Sequence, residues 1–477
     1  MPALSSSDDR VRSLAIDVLG ELPYEPNDDQ MLLIVALCHF LCFSPTRSVF
    51  LLGGFAGTGK TSLTGAIVRA LSGRRIPTVL MAPTGRAAHV LAAHSGRKAY
   101  TIHRTIYRQS SYGSDTFGIA DNRYRSALFI VDEASMIANG GELSPFGTGR
   151  LLDDLFTYVY GNELIDNSCR LLLMGDTAQL PPVGVQESPA LDENVLQGYG
   201  ATLYAVLLRQ VARQALESGI LRAATMLREI IESGNYVMPQ IDVTTSDDCV
   251  AVSSEFLLET VSDCYDRDGI EQTVIVTRSN KRATLFNRGI RGSILYREEL
   301  LSTGDLLMVV KNNYYWTREY DSFDFIANGD ALRVRRVRGD IEHRYGLQFL
   351  TAEVELVDHD GVEIEVKVVV DSLLSDTPAL TREQQERLFN EVWNELSGDK
   401  RSRFKALKEH PYFNALQVKY GYAVTCHKAQ GGQWRNVFVD MGGIAPEAAT
   451  TLDYHRWLYT AVTRATDHVY LINYRSE

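Results

Sequence analysis

Short apolar runs alternating with helical stretches recur in two parts of this chain. In the first, the runs are SVFLL (48–52), TVLMA (78–82), ALFIV (127–131) and RLLLM (170–174). Runs this short and this continuously apolar predict strands buried on both faces, as in a parallel sheet covered by helices. In the second, TVIVT (273–277), GYAVT (421–425), NVFVD (436–440) and VYLIN (469–473) repeat the pattern. The stretch from Leu203 to Ser233 reads as a helical connection between the blocks. The longest apolar run, MLLIVALCHFLCF at 31–43, is too short to span a bilayer and predicts a buried helix.

The second block is interrupted over 304–415, where the period changes to two. LRVRRVRGD and AEVELVDHDGVEIEVKVVV alternate around Gly-Asp turns, which predicts a small antiparallel barrel or sheet. A helical extension follows at 381–410. Thr381 and Gln384 form a capping box ahead of an apolar stripe of Leu388, Phe389, Val392, Trp393 and Leu396. The chain is therefore expected to be α/β, with an N-terminal domain over 1–230, a C-terminal domain over 231–303 plus 416–477, and the β-rich insert over 304–415.

A length of 477 residues calls for two to four domains. The six cysteines are scattered without C-x-x-C pairs or zinc spacing, and read as reduced thiols of a cytoplasmic protein. MPALSSSDDR lacks the basic start and apolar core of a signal peptide. Lys plus Arg is 48 against 60 for Asp plus Glu, a net charge of −12. That argues against a nonspecific basic coat for nucleic acid and leaves room for a local basic channel.

Candidate chemistry sits at the ends of the first-block strands. Gly54 to Thr61, GFAGTGKT, fits G-x-x-x-x-G-K-[ST] between a strand and a helix. Its backbone amides and the helix N-terminus suit phosphates, so Gly54, Gly57, Thr58, Gly59, Lys60, Thr61 and Ser62 form the nucleotide-binding set for ATP. Lys60 reaches the β- and γ-phosphates, and Thr61 ligates Mg2+. Asp132 and Glu133 follow ALFIV at the carboxyl edge of the sheet. Asp132 suits the metal, and Glu133 suits activation of the attacking water. Gln179, in GDTAQLPP, is either a γ-phosphate sensor or part of a turn stiffened by Pro181-Pro182. Asn27 and Gln30 fit an N-cap pair, although Gln30 could also read an adenine edge.

The ordered set of motifs resembles superfamily 1 DNA helicases of the RecD/Dda type. The matches are Gln30, GFAGTGKT, APTGRAA (82–88), TIHR (101–104), VDEAS (131–135), GDTAQLPPVG (175–184), RQ (213–214), TRSN (277–280), YAVTCHKAQGG (422–432) and YTAVTRA (459–465). They run in family order over most of the chain. The resemblance implies two RecA-like domains that close on ATP. It makes Gln30 an adenine contact and Gln179 a γ-phosphate sensor. It also implies that Arg213 and Arg464 stabilise γ-phosphate charge, and that Gln433 stands near the sugar where the family usually has Glu.

The same resemblance implies a single strand contacted by Pro83, Thr84, Arg86, Ile102 and His103 from the first domain. Thr277, Asn280, Thr425, His427 and Lys428 are the corresponding contacts in the second. By residue type alone, His103 and His427 are ordinary loop histidines. Trp434 is the leading candidate for base stacking, ahead of Tyr315 and Trp316. Residues 107–126 stand where relatives carry a strand-splitting hairpin, and a loop without a wedge is the other reading. The implied activity is ATP-dependent unwinding with 5′–3′ movement on single-stranded DNA and at single-strand/duplex junctions, by a monomer with repair or recombination partners and no membrane. The alternatives are a single-strand-stimulated ATPase or translocase subunit of a repair or defence complex, and an RNA helicase of the same superfamily.

Overall fold

The computed structural model describes residues 6–109, 117–140, 146–161, 168–211, 218–318, 320, 325–357 and 361–474. Two compact units emerge: Met1–Pro83 with Ala87–Pro239 and Pro446–Thr463, and Thr84–Arg86 with Gln240–Ala445 and Arg464–Glu477. This corrects the expected division. The boundary falls after Pro239, the insert stays within the second unit, and a helix late in the chain belongs to the first.

The strands of the first unit are β1 (Ser48–Gly54), β2 (Thr78–Ala82), β3 (Ala99–Thr101), β4 (Tyr107–Gln109), β5 (Phe117–Ile119), β6 (Leu128–Val131), β7 (Arg170–Gly175) and β8 (Thr202–Leu208). Six of them form an all-parallel sheet in the order β3-β2-β6-β7-β1-β8. One face is packed by Leu33, Ile34, Leu37 and Phe40 of helix Asp28–Phe43 and by Leu63 and Ile67 of helix Lys60–Gly73. Each such side chain contributes about 1.5–3 kcal/mol by leaving water.

Two expectations fail here. TLYAVLL at 202–208 is strand β8, and among the described residues of the stretch only Gly219–Ser233 is helical. A short apolar run has no period that separates helix from strand, and pairing with β1 decides the outcome. Helix Asp28–Phe43 is not buried all round, because Met31, Leu32, Val35 and Phe43 are exposed.

β4 and β5 pair antiparallel, so a hairpin stands at the start of the 107–126 stretch. Its tip, 110–116, lies outside the described residues. Phe117 lies on β5, buried against Phe146 at 4.9 Å.

The second unit holds β9 (Cys249–Val252), β10 (Thr273–Thr277), β11 (Leu306–Val309), β12 (Ala331–Arg344), β13 (Leu347–Leu356), β14 (Val362–Val369), β15 (Leu416–Tyr420), β16 (Ala423–Thr425), β17 (Trp434–Asp440) and β18 (Ala465–Ile472). A parallel sheet runs β16-β10-β17-β18-β9. β11 to β15 close into a barrel. The barrel takes its fifth strand from 416–420, beyond the expected end of the insert at 415. It is also not wholly antiparallel, because β14 and β15 run parallel.

The root of the barrel is an ionic cluster. Asp305 is fully buried. It accepts from Arg291 at 3.0 and 3.1 Å, Arg297 at 2.7 Å, the Tyr422 hydroxyl at 2.8 Å and the Ser302 amide at 2.7 Å. The capping box of Thr381 and Gln384 opens helix Arg382–Glu395 as expected. Leu388 and Val392 are buried against Tyr345 and Phe349, with Phe389, Trp393 and Leu396 at the margin. No helix among the described residues is long and apolar enough to cross a membrane.

Candidate nucleotide site

Parallel pairing puts the ends of β1, β6 and β7 at one edge of the first sheet. Gly53 pairs with Gly175 and Val131 with Leu173, so the glycine loop, Asp132-Glu133 and Asp176 emerge side by side. The loop needs its glycines. Gly57 and Gly59 have φ of +74° and +84°. A Cβ on Gly57 would meet Leu221 at 2.7 Å, and one on Gly59 would meet Gln30 at 2.7 Å.

Lys60 donates to the carbonyls of Gly54 and, at 3.0 Å, Phe55. Its ammonium thus rests on the loop's own acceptors at the place a phosphate needs a cation. Thr61 and Ser62 begin the following helix, half-buried. The Thr58 side chain is buried and donates to the Phe55 carbonyl at 2.7 Å. Asp132 and Glu133 are half-buried, and Glu133 has φ of +51°. A left-handed non-glycine residue costs on the order of 1 kcal/mol, a strain of the kind found at reactive sites.

Gln30 is committed to the protein. Its Oε1 accepts from the Asn27 amide at 3.1 Å, and its Nε2 donates to the Thr58 carbonyl at 2.9 Å. Gln30 therefore completes the capping box and braces the phosphate loop at once. Gln179 is buried, and its Oε1 has no hydrogen-bond partner among the described residues. Beside it lies a cavity of about 140 Å³ lined by Ser135, Asp176, Thr177, Gln179, Glu187 and Arg456. An enclosed acceptor without a partner costs free energy. It suits a hydrogen donor arriving with substrate.

Sequence reasoning missed three residues here. Helix Leu452–Val462 packs in the first unit, against helix Gly219–Ser233. Its Tyr459 hydroxyl donates to Asp176 at 2.7 Å and accepts from the Ala56 amide at 2.8 Å. Thr460 accepts from the Leu180 amide at 2.9 Å. Tyr459, Thr460 and Asp176 thus clamp the phosphate loop to the loop that carries Gln179. Burial raises the Asp176 carboxyl above its usual range, against the lowering effects of Lys60, Tyr459 and the Ala178 amide, and the nearby Glu133 charge adds to the rise.

Tyr459→Phe removes both hydrogen bonds while keeping the ring. We expect kcat for nucleotide hydrolysis to fall about 10- to 100-fold. The Tyr459 hydroxyl favours the ionised Asp176, so its loss raises that carboxyl further. The acid limb of the pH–rate profile should then move to higher pH. A profile superimposable on the parent's would remove Asp176 and Tyr459 from the working site.

The remaining expected positions divide. Arg213 lies outside the described residues. Arg464 belongs to the second unit, where it is buried and its guanidinium reaches the Gly432 carbonyl at 3.5 Å. Gln433, beside it, is exposed. Pro83 in the first unit and Thr84 and Arg86 in the second are half-buried. His103 is half-buried between Phe146 and Tyr107, and burial lowers its pKa to about 4, so it meets any strand as a neutral ring. Asn280 opens helix Asn280–Ser293, Thr425 is half-buried and His427 is exposed. The Lys428 ammonium is enclosed without a hydrogen bond among the described residues, and burial lowers its pKa to about 8.

Three expected strand contacts are corrected. Ile102 is fully buried, an apolar core position on the first turn of its helix. Thr277 is fully buried, and its hydroxyl donates to the protein's own carbonyls at Ser279 and Val424. Trp434 is 3% exposed with the Arg86 guanidinium 4.4 Å over its ring, so no open face remains for a base. Trp316 donates to the Asn414 carbonyl at 2.8 Å and packs on the barrel core, while Arg318 covers Tyr315.

Fold and site together define a P-loop nucleotide-binding class with two parallel α/β sheets. A family described as "AAA domain" matches residues 36–234, and one described as "UvrD-like helicase C-terminal domain" matches 420–472. With the order of the motifs, these two matches make the chain similar to superfamily 1 helicases of the RecD/Dda type. It is 26% identical to the "ATP-dependent RecD2 DNA helicase" of Deinococcus radiodurans, over 89% of this chain and 46% of that protein. It thus spans about half the length of that relative. An uncharacterized protein of Acanthamoeba polyphaga mimivirus is 22% identical, over 89% of this chain and 95% of its own length. Among solved structures, Pif1 helicase from Bacteroides in complex with ADP-AlF3 and ssDNA is 15% identical, with a TM-score of 0.47 over 94% of this chain and 93% of that one. Pif1 helicase from Candida albicans is 16% identical, with a TM-score of 0.45 over 100% and 95%.

Proposed function

We propose that this chain hydrolyses ATP and uses the cycle to move along single-stranded DNA, 5′ to 3′, opening duplex ahead of it. The observation that carries this reading is the convergence of Lys60, Asp132, Glu133 and Gln179 at one sheet edge, clamped by Tyr459 of the YTAVTRA helix. The RecD2 relative, named as an ATP-dependent DNA helicase, supports the choice of nucleotide and track.

In this reading the loop amides and Lys60 hold the β- and γ-phosphates. Glu133 takes a proton from water as its oxygen bonds to the γ-phosphorus, and the bond to the β–γ bridging oxygen breaks. Gln179 offers its uncommitted Oε1 to that water. Arg213 and Arg464 meet the charge that develops on the phosphoryl oxygens. Thr61 and Asp132 would hold a magnesium ion, which would neutralise charge on those oxygens. On the strand side, hydroxyls, amides and a few cations suit a backbone read without sequence preference.

The test is ATP hydrolysis with and without oligo-dT, followed by duplexes carrying a 5′ or a 3′ tail. Hydrolysis stimulated by oligo-dT and opening from the 5′ tail alone are expected. Hydrolysis indifferent to DNA, or stimulated only by RNA, would reject the track. Opening only from the 3′ tail would reverse the polarity.

A further inference from the structure

Helix Lys400–Lys408, KRSRFKALK, carries five basic residues and no acidic one in a chain whose net charge is −12. Spacings of three and four place Lys400, Arg401, Phe404, Lys405 and Lys408 along one stripe. The adjoining side is anchored by the buried Leu407, which packs with Leu388 and Val392. Lys400, Arg401 and Lys405 are exposed, and Phe404 is 40% exposed in their midst.

The stripe differs from the other charged surfaces of this unit. On the barrel, Arg335 pairs with Glu355 and Arg338 with Glu353 and Glu365. On helix Arg382–Glu395, Arg382 pairs with Glu386 and Arg387 with Glu391. Lys400, Arg401 and Lys405 form no ion pair among the described residues. Arg401 and Lys405, four residues apart, are like charges on neighbouring helix positions. Phe404 is also held from behind. Its ring lies 4.7 Å from that of Trp393, whose face carries the Arg403 guanidinium at 4.4 Å.

We propose that this stripe binds single-stranded nucleic acid, with Lys400, Arg401 and Lys405 on the phosphates and Phe404 as a platform for one base. Cations alternating with a supported, half-exposed aromatic ring are the two ingredients of sequence-tolerant strand binding. An acidic protein surface would need the cations alone and would leave Phe404 without a role. The proposal rests on the motor reading above and adds to it a second contact, on the insert and outside the motifs in sequence.

The experiment measures binding of a labelled oligo-dT across a salt series. The proteins are the full chain, the triple variant Lys400→Gln/Arg401→Gln/Lys405→Gln, and Phe404→Leu. A duplex of equal length and poly-glutamate serve as further probes, and thermal melting checks that each variant folds. The triple variant should lower the log–log salt slope for oligo-dT by about 2, near 0.7 per lost phosphate contact. Phe404→Leu should weaken oligo-dT binding about 5- to 150-fold with the slope unchanged. Parental affinity and slope in the folded variants would overturn the surface while leaving the motor standing. A loss confined to the duplex or to poly-glutamate would also overturn it. A parent chain that does not bind oligo-dT would bring down the motor reading and the surface together.

Discussion

Lys60→Ala should lower ATP hydrolysis by roughly 10²- to 10³-fold, the loss expected when one preorganised positive group is removed from a transition state. The side chain is half-buried and donates to the loop carbonyls of Gly54 and Phe55. Those carbonyls can turn to water when the ammonium is gone, so the fold should survive. What is lost is the cation that follows charge from the ATP oxygens to the transition state. The fall should appear in kcat as well as in KM, because the charge grows during the reaction. Steady-state hydrolysis with saturating oligo-dT gives the answer. A variant within about threefold of the parent would mean that Lys60 does not meet the γ-phosphate.

Asp305→Ala should be the most damaging substitution for stability in the second unit. The carboxylate is fully buried and neutralises two guanidiniums, Arg291 and Arg297, while accepting from the Tyr422 hydroxyl. Removing one partner of a buried ionic cluster leaves unpaired charge in a poor solvent, at a cost of about 3–5 kcal/mol. For a unit of this size, that corresponds to a melting point lower by roughly 6–20 °C. Calorimetry of the full chain should show the loss in the transition that includes the barrel. A shift below about 2 °C would mean that water or rearrangement replaces Asp305.

The parts legible in the sequence were those whose chemistry is local. GFAGTGKT, VDEAS and GDTAQLPP each join a strand end to its functional residues within a few positions, so their placement followed once the strands were right. The capping boxes at Asn27 and Thr381 were legible for the same reason. Long-range consequences were not. Tyr459 reaches Ala56 across 403 residues and Asp176 across 283. No spacing rule links such positions. Trp434 is the opposite case, an aromatic residue beside a functional motif that the start of β17 places in the interior. Ile102 and Thr277 lie within strand-contact motifs, yet both side chains face the core. The strand at 202–208 was hidden because its apolar run carries no period until β1 pairs with it.

The helix from Leu452 to Val462 has a further consequence for anyone who would cut this chain. It is encoded between two stretches of the second unit and buried in the first. A fragment ending at Pro239 would keep the phosphate loop and lose the hydroxyl that holds Ala56 to Asp176. The complementary fragment would carry an apolar helix with no home. Inheritance of this engine by exchange of consecutive gene segments is therefore constrained: neither half is a transferable part, and the two are expected to travel as one.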